Sequence, residues 1–222
     1  DADSWDPRLV KIELTLTKKH LFTGGPALVV LDHGCGMTMP RLERYFGWLG
    51  TPEGESLDYA DGQNQGASQK GIGRFSPMLL NKLCRRSNPK AGDEGYYLFS
   101  RSEPSGNIRL IHVTPRLLSV EDGVEVDNYV TPGSTEARFL DGIKGTFTAI
   151  VIPNPIFETA DEIQESIKWL LPREKDKMFD LFVNGKKIER PSLWDEVNVL
   201  GDGGNFRARL GAGNKDCDGV WL

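Results

Sequence analysis

Cysteine is scarce in this chain: three residues in 222, at positions 35, 84 and 217, with no Cys-x-x-Cys pair. Such wide spacing points away from a disulfide-stapled scaffold and reads as reduced thiols in a reducing compartment. Histidine is equally sparse, and His20, His33 and His112 show no metal-ligand spacing. No apolar run approaches the roughly 20 residues that cross a bilayer, so no membrane partner is expected. The opening DADSWDPRL is acidic and has no apolar h-region, unlike a secretory signal. A basic excess is also missing. The net charge is −5, so charge does not indicate nucleic-acid binding. The expected location is intracellular, with cytoplasm and nucleus both open.

What is present is ordinary globular material: 38% hydrophobic and 27% charged residues. The length suits one domain, or one domain and the start of a second. Val10 to Thr17 alternates Ile12, Leu14 and Leu16 with polar residues and predicts a half-buried strand. Ala27 to Leu31 is a continuous apolar run after a Gly24-Gly25-Pro26 turn, so the two strands predict an antiparallel hairpin. Thr38 and Pro40 open a helix. Residues 50–74 are rich in Gly, Ser, Asp and Gln, and a loop of that length is usually functional or mobile. A second helix is expected from Ser76-Pro77 through Cys84. Two strand-like runs flank Glu103-Pro104-Ser105-Gly106 and predict a hairpin. Leu118 to Phe139 reads as loop with one short strand, and Gly145 to Pro153 as a sheet strand. Asp161 to Leu171 predicts an amphipathic helix with Ile163, Ile167 and Leu170 on one face. Asn184-Gly185 between apolar flanks is a strong hairpin signal.

The chain is organised around Ala27 to Met37, ALVVLDHGCGM. A carboxylate, Asp32, ends a buried strand, and Gly34 and Gly36 mark a turn with close backbone approach. Two ligand-binding turns have this form. Residues 31–36 resemble the S-adenosylmethionine turn of Rossmann-type methyltransferases, although that motif's third glycine would fall at Thr38, and that fold wants alternating strands and helices. The second resemblance gathers three boxes in order. Asp32-His33-Gly34-Cys35-Gly36-Met37 resembles the Asp-x-Gly-x-Gly-Met box of the GHKL ATPase superfamily, which includes gyrase B, the ninety-kilodalton heat-shock chaperones, histidine kinases and MutL. Gly71-Ile72-Gly73-Arg74-Phe75-Ser76 resembles its second glycine box, and Gly145-Thr146 its Gly-Thr near the adenine. The style is nearest to MORC and SMC-hinge-type members.

This resemblance implies an α+β fold of the Bergerat type: a two-layer sandwich of mixed, largely antiparallel sheet with helices on one face. It implies ATP as ligand, with Mg²⁺ bridging the phosphates. Asp32 would accept a hydrogen bond from the adenine amino group, a contact that rejects guanine by leaving a buried polar group unpaired. Gly34 belongs to the same cofactor-binding box, Gly36 would let backbone and an ordered water approach the ring, Met37 would wall the base, and Thr146 would hold the same water or the base. Gly71 and Gly73 would turn free N–H groups toward phosphate, with charge from Lys70 or Arg74. Residues 51–70 would be a lid.

The chain departs from the pattern in two places. The family's N-box helix supplies a Glu that polarises water and an Asn that binds Mg²⁺. Here nine residues precede Val10, and none is Glu or Asn. The expectation is an N-terminally incomplete ATP-binding domain over residues 1–155, with residues 156–222 beginning a transducer-like second unit. No catalytic residue is assigned, and hydrolysis is expected only where the missing helix is supplied. His33 stands where the family usually has Asn and is assigned no chemistry. The resemblance also implies a possible ATP-dependent homodimer. The rival readings are a non-catalytic nucleotide-sensing or interaction module and the methyltransferase. Plainer readings stand beside each residue: Asp32 as a turn cap, Gly34 and Gly36 as turn glycines, Met37 as core, Lys70 and Arg74 as solvated charges.

Overall fold

The computed structural model describes residues 10–42, 76–85, 95–114, 129–171 and 179–191. Their centre is one seven-stranded sheet: β1 (Val10–Thr17), β2 (Ala27–Asp32), β3 (Tyr96–Arg101), β4 (Arg109–Val113), β5 (Phe147–Pro153), β6 (Phe179–Val183) and β7 (Lys186–Ile188). The strand order is β4-β3-β5-β2-β1-β6-β7. Every neighbouring pair is antiparallel except β1 with β6. The chain is therefore α+β, as the resemblance implies. β2 is antiparallel to both of its neighbours, β1 and β5. That is not the doubly wound parallel sheet that accompanies the S-adenosylmethionine turn.

Strand alternation separates two apolar layers. Leu28, Leu98, Ile111, Ile152, Leu181 and Val183 face one side. They meet Leu42 of α1 (Met39–Leu42), Met78 of α2 (Ser76–Leu79) and Ile163 of α4 (Ala160–Ile167). Ala27, Val29, Phe99, Phe147, Ala149 and Val151 face the other side, under Leu140 of α3 (Thr135–Leu140). Fully burying such a side chain contributes about 1.5–3 kcal/mol, so these two rows carry most of the sheet's stability.

Four differences from the sequence reading have local causes. The helix expected over 76–84 is two pieces, α2 and a 3-10 turn at Lys82–Arg85. The cause is Asn81, fully buried, whose side chain donates to the Gly95 carbonyl and accepts from the Leu83 N–H. A side chain that bonds locally to backbone competes with the helix. α3 lies where loop is expected, capped by the Ser134 hydroxyl on the Ala137 N–H. α4 ends at Ile167, so Leu170 falls outside its apolar stripe and is 81% exposed. Finally, the boundary expected between residues 155 and 156 does not divide the sheet. β6 runs parallel to β1 from Val10 opposite Phe179 to Leu14 opposite Val183, and α4 shares the same core.

The β6–β7 turn is as expected. Asn184 and Gly185 have φ of 45° and 80°, the pair of positive values that a tight hairpin turn uses. Asn184 does more than turn the chain. Its side chain accepts from Leu16 N–H at 2.8 Å, and its own N–H donates to the Leu14 carbonyl. The hairpin is thereby tied to β1.

Candidate functional site

Alternation along β2 decides where Asp32 points. Leu28 and Val30 pack on the α1/α2/α4 side, and Ala27, Val29 and Leu31 on the other. Asp32 therefore falls on the α1/α2/α4 side. In register, Ile12 lies opposite it on β1 and Thr148 opposite it on β5, and Thr148 is itself opposite Ser100 on β3. Three polar side chains, Asp32, Thr148 and Ser100, thus form one row across three strands, at the end of an otherwise apolar face. Asp32 and Thr148 are half-buried and Ser100 is 1% exposed. One Asp32 oxygen, Oδ1, accepts the Gly34 N–H at 2.5 Å. The hydrogen bonds among the described residues leave Oδ2 free.

The turn after Asp32 is interlocked with its neighbours. Gly36 has φ of 66°, and a Cβ there would sit 2.2 Å from the Arg101 carbonyl oxygen and 3.1 Å from that of Phe147. The close approach that the glycine permits is to β3 and β5. The sequence reading expects it to be toward a ligand. Met37 N–H donates to Ser100 Oγ at 2.7 Å, and Ser100 Oγ donates to the Phe147 carbonyl at 3.3 Å. Thr146 Oγ1 donates to the Gly34 carbonyl at 2.7 Å. Arg101 closes the corner: Nε reaches the Gly145 carbonyl at 2.6 Å, Nη2 the Ile143 carbonyl at 2.5 Å, and the guanidinium lies 4.9 Å from the Phe147 ring centroid. Met37 packs partly buried against the α1/α2/α4 layer.

The structure therefore brings together Asp32, Gly34, Gly36, Met37 and Thr146. Lys70, Gly71, Gly73 and Arg74, and the lid expected over 51–70, lie outside the described residues. His33 is turned away from Asp32. Its Nε2 is 3.4 Å from Glu13 Oε2, on a side chain whose neighbours in β1, Ile12 and Leu14, face the α1/α2/α4 layer. Burial of Glu13 pushes its pKa up, but Lys11 and His33 together outweigh that and hold it below the ordinary carboxylate value. Cys35 is exposed, with the Arg41 Nη1 at 3.6 Å from its sulfur.

Ser100, Arg101 and Thr148 are absent from the sequence-level candidates. A signal exists for two of them. Ser100 and Thr148 are polar residues at core-parity positions, after Tyr96 and Leu98 in β3 and before Ile150 and Ile152 in β5.

A cavity of about 550 Å³ lies at the opposite end of the sheet, between Leu16, Pro26, Phe157 and Ala160. None of the polar row lines it. Its carboxylate, Glu158, is exposed and paired with Lys82. The candidate site is placed at Asp32, where a half-buried acceptor, a packed turn and two further polar groups converge. Among the described residues no cluster of His, Cys, Asp or Glu is arranged to hold a metal ion.

The sequence matches no protein-family model and no curated protein. Among solved structures, the ATPase region of Saccharomyces cerevisiae topoisomerase II is similar, with a TM-score of 0.44 and 12% sequence identity, over 86% of this chain and 46% of that one. The chain thus spans less than half the length of that structure. At that score the likeness bears neither on ligand nor on activity.

Proposed function

We propose that this chain binds an adenine nucleotide, ATP, with the base read by Asp32. The observation that carries the reading is the state of that carboxylate: half-buried at a strand end, with one oxygen tied to Gly34 N–H and the other without a hydrogen bond among the described residues. A fixed acceptor of this kind suits the amino group of adenine and opposes the carbonyl edge of guanine. The ordered resemblance of the three boxes to the GHKL superfamily supports the same reading, and with it a Bergerat-type fold. MORC and SMC-hinge-type members are the nearest in style.

The described residues fit the base. They supply no metal set, so Mg²⁺ enters the reading only as the ion that accompanies the phosphates, and no step is derived through it. Phosphate contacts from Lys70, Gly71, Gly73 and Arg74, a lid over 51–70, and ATP-dependent pairing of two copies rest on the resemblance alone. No residue is assigned to hydrolysis, and the function proposed is binding, as in a nucleotide-gated or nucleotide-sensing domain.

The test is a thermal-shift titration with ATP, ADP and S-adenosylmethionine, with and without Mg²⁺, on the wild type and Asp32→Ala. A ligand that binds only the folded state raises Tm by mass action. ATP or ADP is expected to raise Tm in the wild type and to have little effect on the variant. Stabilisation by S-adenosylmethionine alone would contradict the proposal.

A further inference from the structure

We propose that the cavity at the far end of the sheet is a second ligand site, and that it takes a small monocarboxylate with an apolar body. The cavity shares no residue with the Asp32 site, and its test does not depend on the nucleotide reading. Its volume of about 550 Å³ falls within the range of small-molecule pockets. Leu16, Pro26, Pro155, Phe157 and Ala160 supply apolar wall. In such a pocket a few polar groups fix the ligand's orientation and class, so the polar side chains on the wall decide what fits.

Most of those side chains are already engaged. The Asn184 amide is committed to the Leu16 backbone, the Thr17 hydroxyl to the Lys19 carbonyl, and the Thr159 hydroxyl to the Glu162 N–H. Lys82 and Glu158 are paired at 3.2 Å, so their charges cancel. Lys18 and Asn154 remain. Lys18 makes no ion pair among the described residues, and it leaves the wall net positive. Asn154 is half-buried, and its side-chain amide makes no hydrogen bond among the described residues. Its backbone is held on both sides: the N–H donates to the Pro26 carbonyl and the carbonyl accepts the Lys82 N–H, each at 2.9 Å. Its φ is 47°, a conformation that suits glycine and is strained for a residue with a side chain. A ligand that uses the amide accounts for a side chain kept at that cost. A cation and an amide beside apolar wall fit a carboxylate on an apolar body, one oxygen meeting the Lys18 ammonium and the other the Asn154 N–H.

The experiment measures Kd by NMR titration for hydrocinnamate, its neutral amide and phenylpropylamine, on the wild type, Lys18→Met and Asn154→Gly, together with the ligand-free Tm of each protein. For a ligand of this size Kd is expected to be roughly millimolar. The wild type should bind the acid about fivefold more tightly than the amide, and added salt should narrow the gap. Lys18→Met keeps the apolar stem and should weaken the acid about fivefold while leaving the amide unaffected. Asn154→Gly should weaken the acid about fivefold, while its Tm holds or rises because glycine accepts the φ. Equal affinity for acid and amide, an acid Kd unchanged in either variant, or a lower Tm for Asn154→Gly overturns the assignment. Tighter binding of the amine gives the pocket to a cation at Glu158 and overturns it as well. No binding of any of the three overturns it outright.

Discussion

Strand β2 has a glycine turn at each end, and the two turns are opposite in kind. Before it, a Cβ placed on Gly24 or Gly25 would meet nothing within 4 Å. After it, a Cβ on Gly34 would meet Asp32 Oδ1 at 2.7 Å, and one on Gly36 the Arg101 carbonyl at 2.2 Å. The first turn needs glycine only where the chain reverses, at Gly24 with φ of 71°. The second needs it because backbone from another strand occupies the space. The loose end is held by ordinary bonds, the Asn184 side chain on Leu16 and the Asn154 N–H on the Pro26 carbonyl, whereas at the tight end backbone contact at Gly36 is reinforced by the Ser100, Arg101 and Thr146 side chains. A ligand site benefits from the second arrangement, since Asp32 is held by a turn that cannot shift alone.

The sharpest way to break this contrast is to put the same substitution at both ends. Gly36→Ala forces a positive φ on alanine and a collision with rigid backbone, and should cost about 4 kcal/mol or prevent folding. Gly25→Ala should stay within about 0.5 kcal/mol of the wild type. Denaturant unfolding of the two variants measures the difference, and similar costs would dissolve the contrast. Next in size is Arg101→Met, which keeps much of the side-chain volume and deletes both bonds to the Gly145 and Ile143 carbonyls. A loss of about 2–3 kcal/mol is expected, because the bonds are charge-assisted and partly buried. Asn184→Ala tests the loose end and should cost about 1–2 kcal/mol, from the lost bond to Leu16 and the positive φ.

The smallest expected effect is a pH dependence near the loose turn. His20 is 6% exposed, its ring centroid lies 4.5 Å from that of Phe139, and its Nε2 has no partner among the described residues. Burial holds its pKa below the ordinary value of 6.5. Above that pH the imidazole is neutral in both folded and unfolded chains, and stability is fully present. As pH falls below 6.5, the unfolded chain gains the proton first, so stability declines until the folded pKa is passed. His20→Phe should flatten this limb of the Tm-versus-pH curve, and an unchanged slope would assign the acid sensitivity to other groups.

Much of the fold is legible in the sequence, for physical reasons that can be named. β1 shows period-two alternation, β2 and β5 are apolar runs bounded by glycine and proline, and Asn184-Gly185 fixes a hairpin by its φ preference. What is not legible depends on partners far along the chain. Asn81 breaks its helix because Gly95 offers a carbonyl. β6 joins β1 in a parallel pair that no local pattern announces. In the candidate site, the Asp32-to-Met37 box is readable as a turn that needs glycine, whereas its supports come from β3 and β5. Ser100 and Thr148 look like ordinary strand residues until the register sets them beside Asp32. Gly36 is legible as a close approach, but the partner, the Arg101 carbonyl, is not.

The most direct measurement is a calorimetric titration of ATP and ITP into the wild type and Asp32→Asn. The amide keeps an oxygen for the Gly34 N–H and replaces the free acceptor with a donor, so the turn is retained and the recognition reversed. The account expects ATP affinity to fall roughly 100-fold, the ligand-free Tm to change little, and ITP, with a carbonyl in place of the amine, to lose far less or to gain. Wild-type ATP binding that survives Asp32→Asn unchanged would contradict the central claim that this carboxylate reads the base.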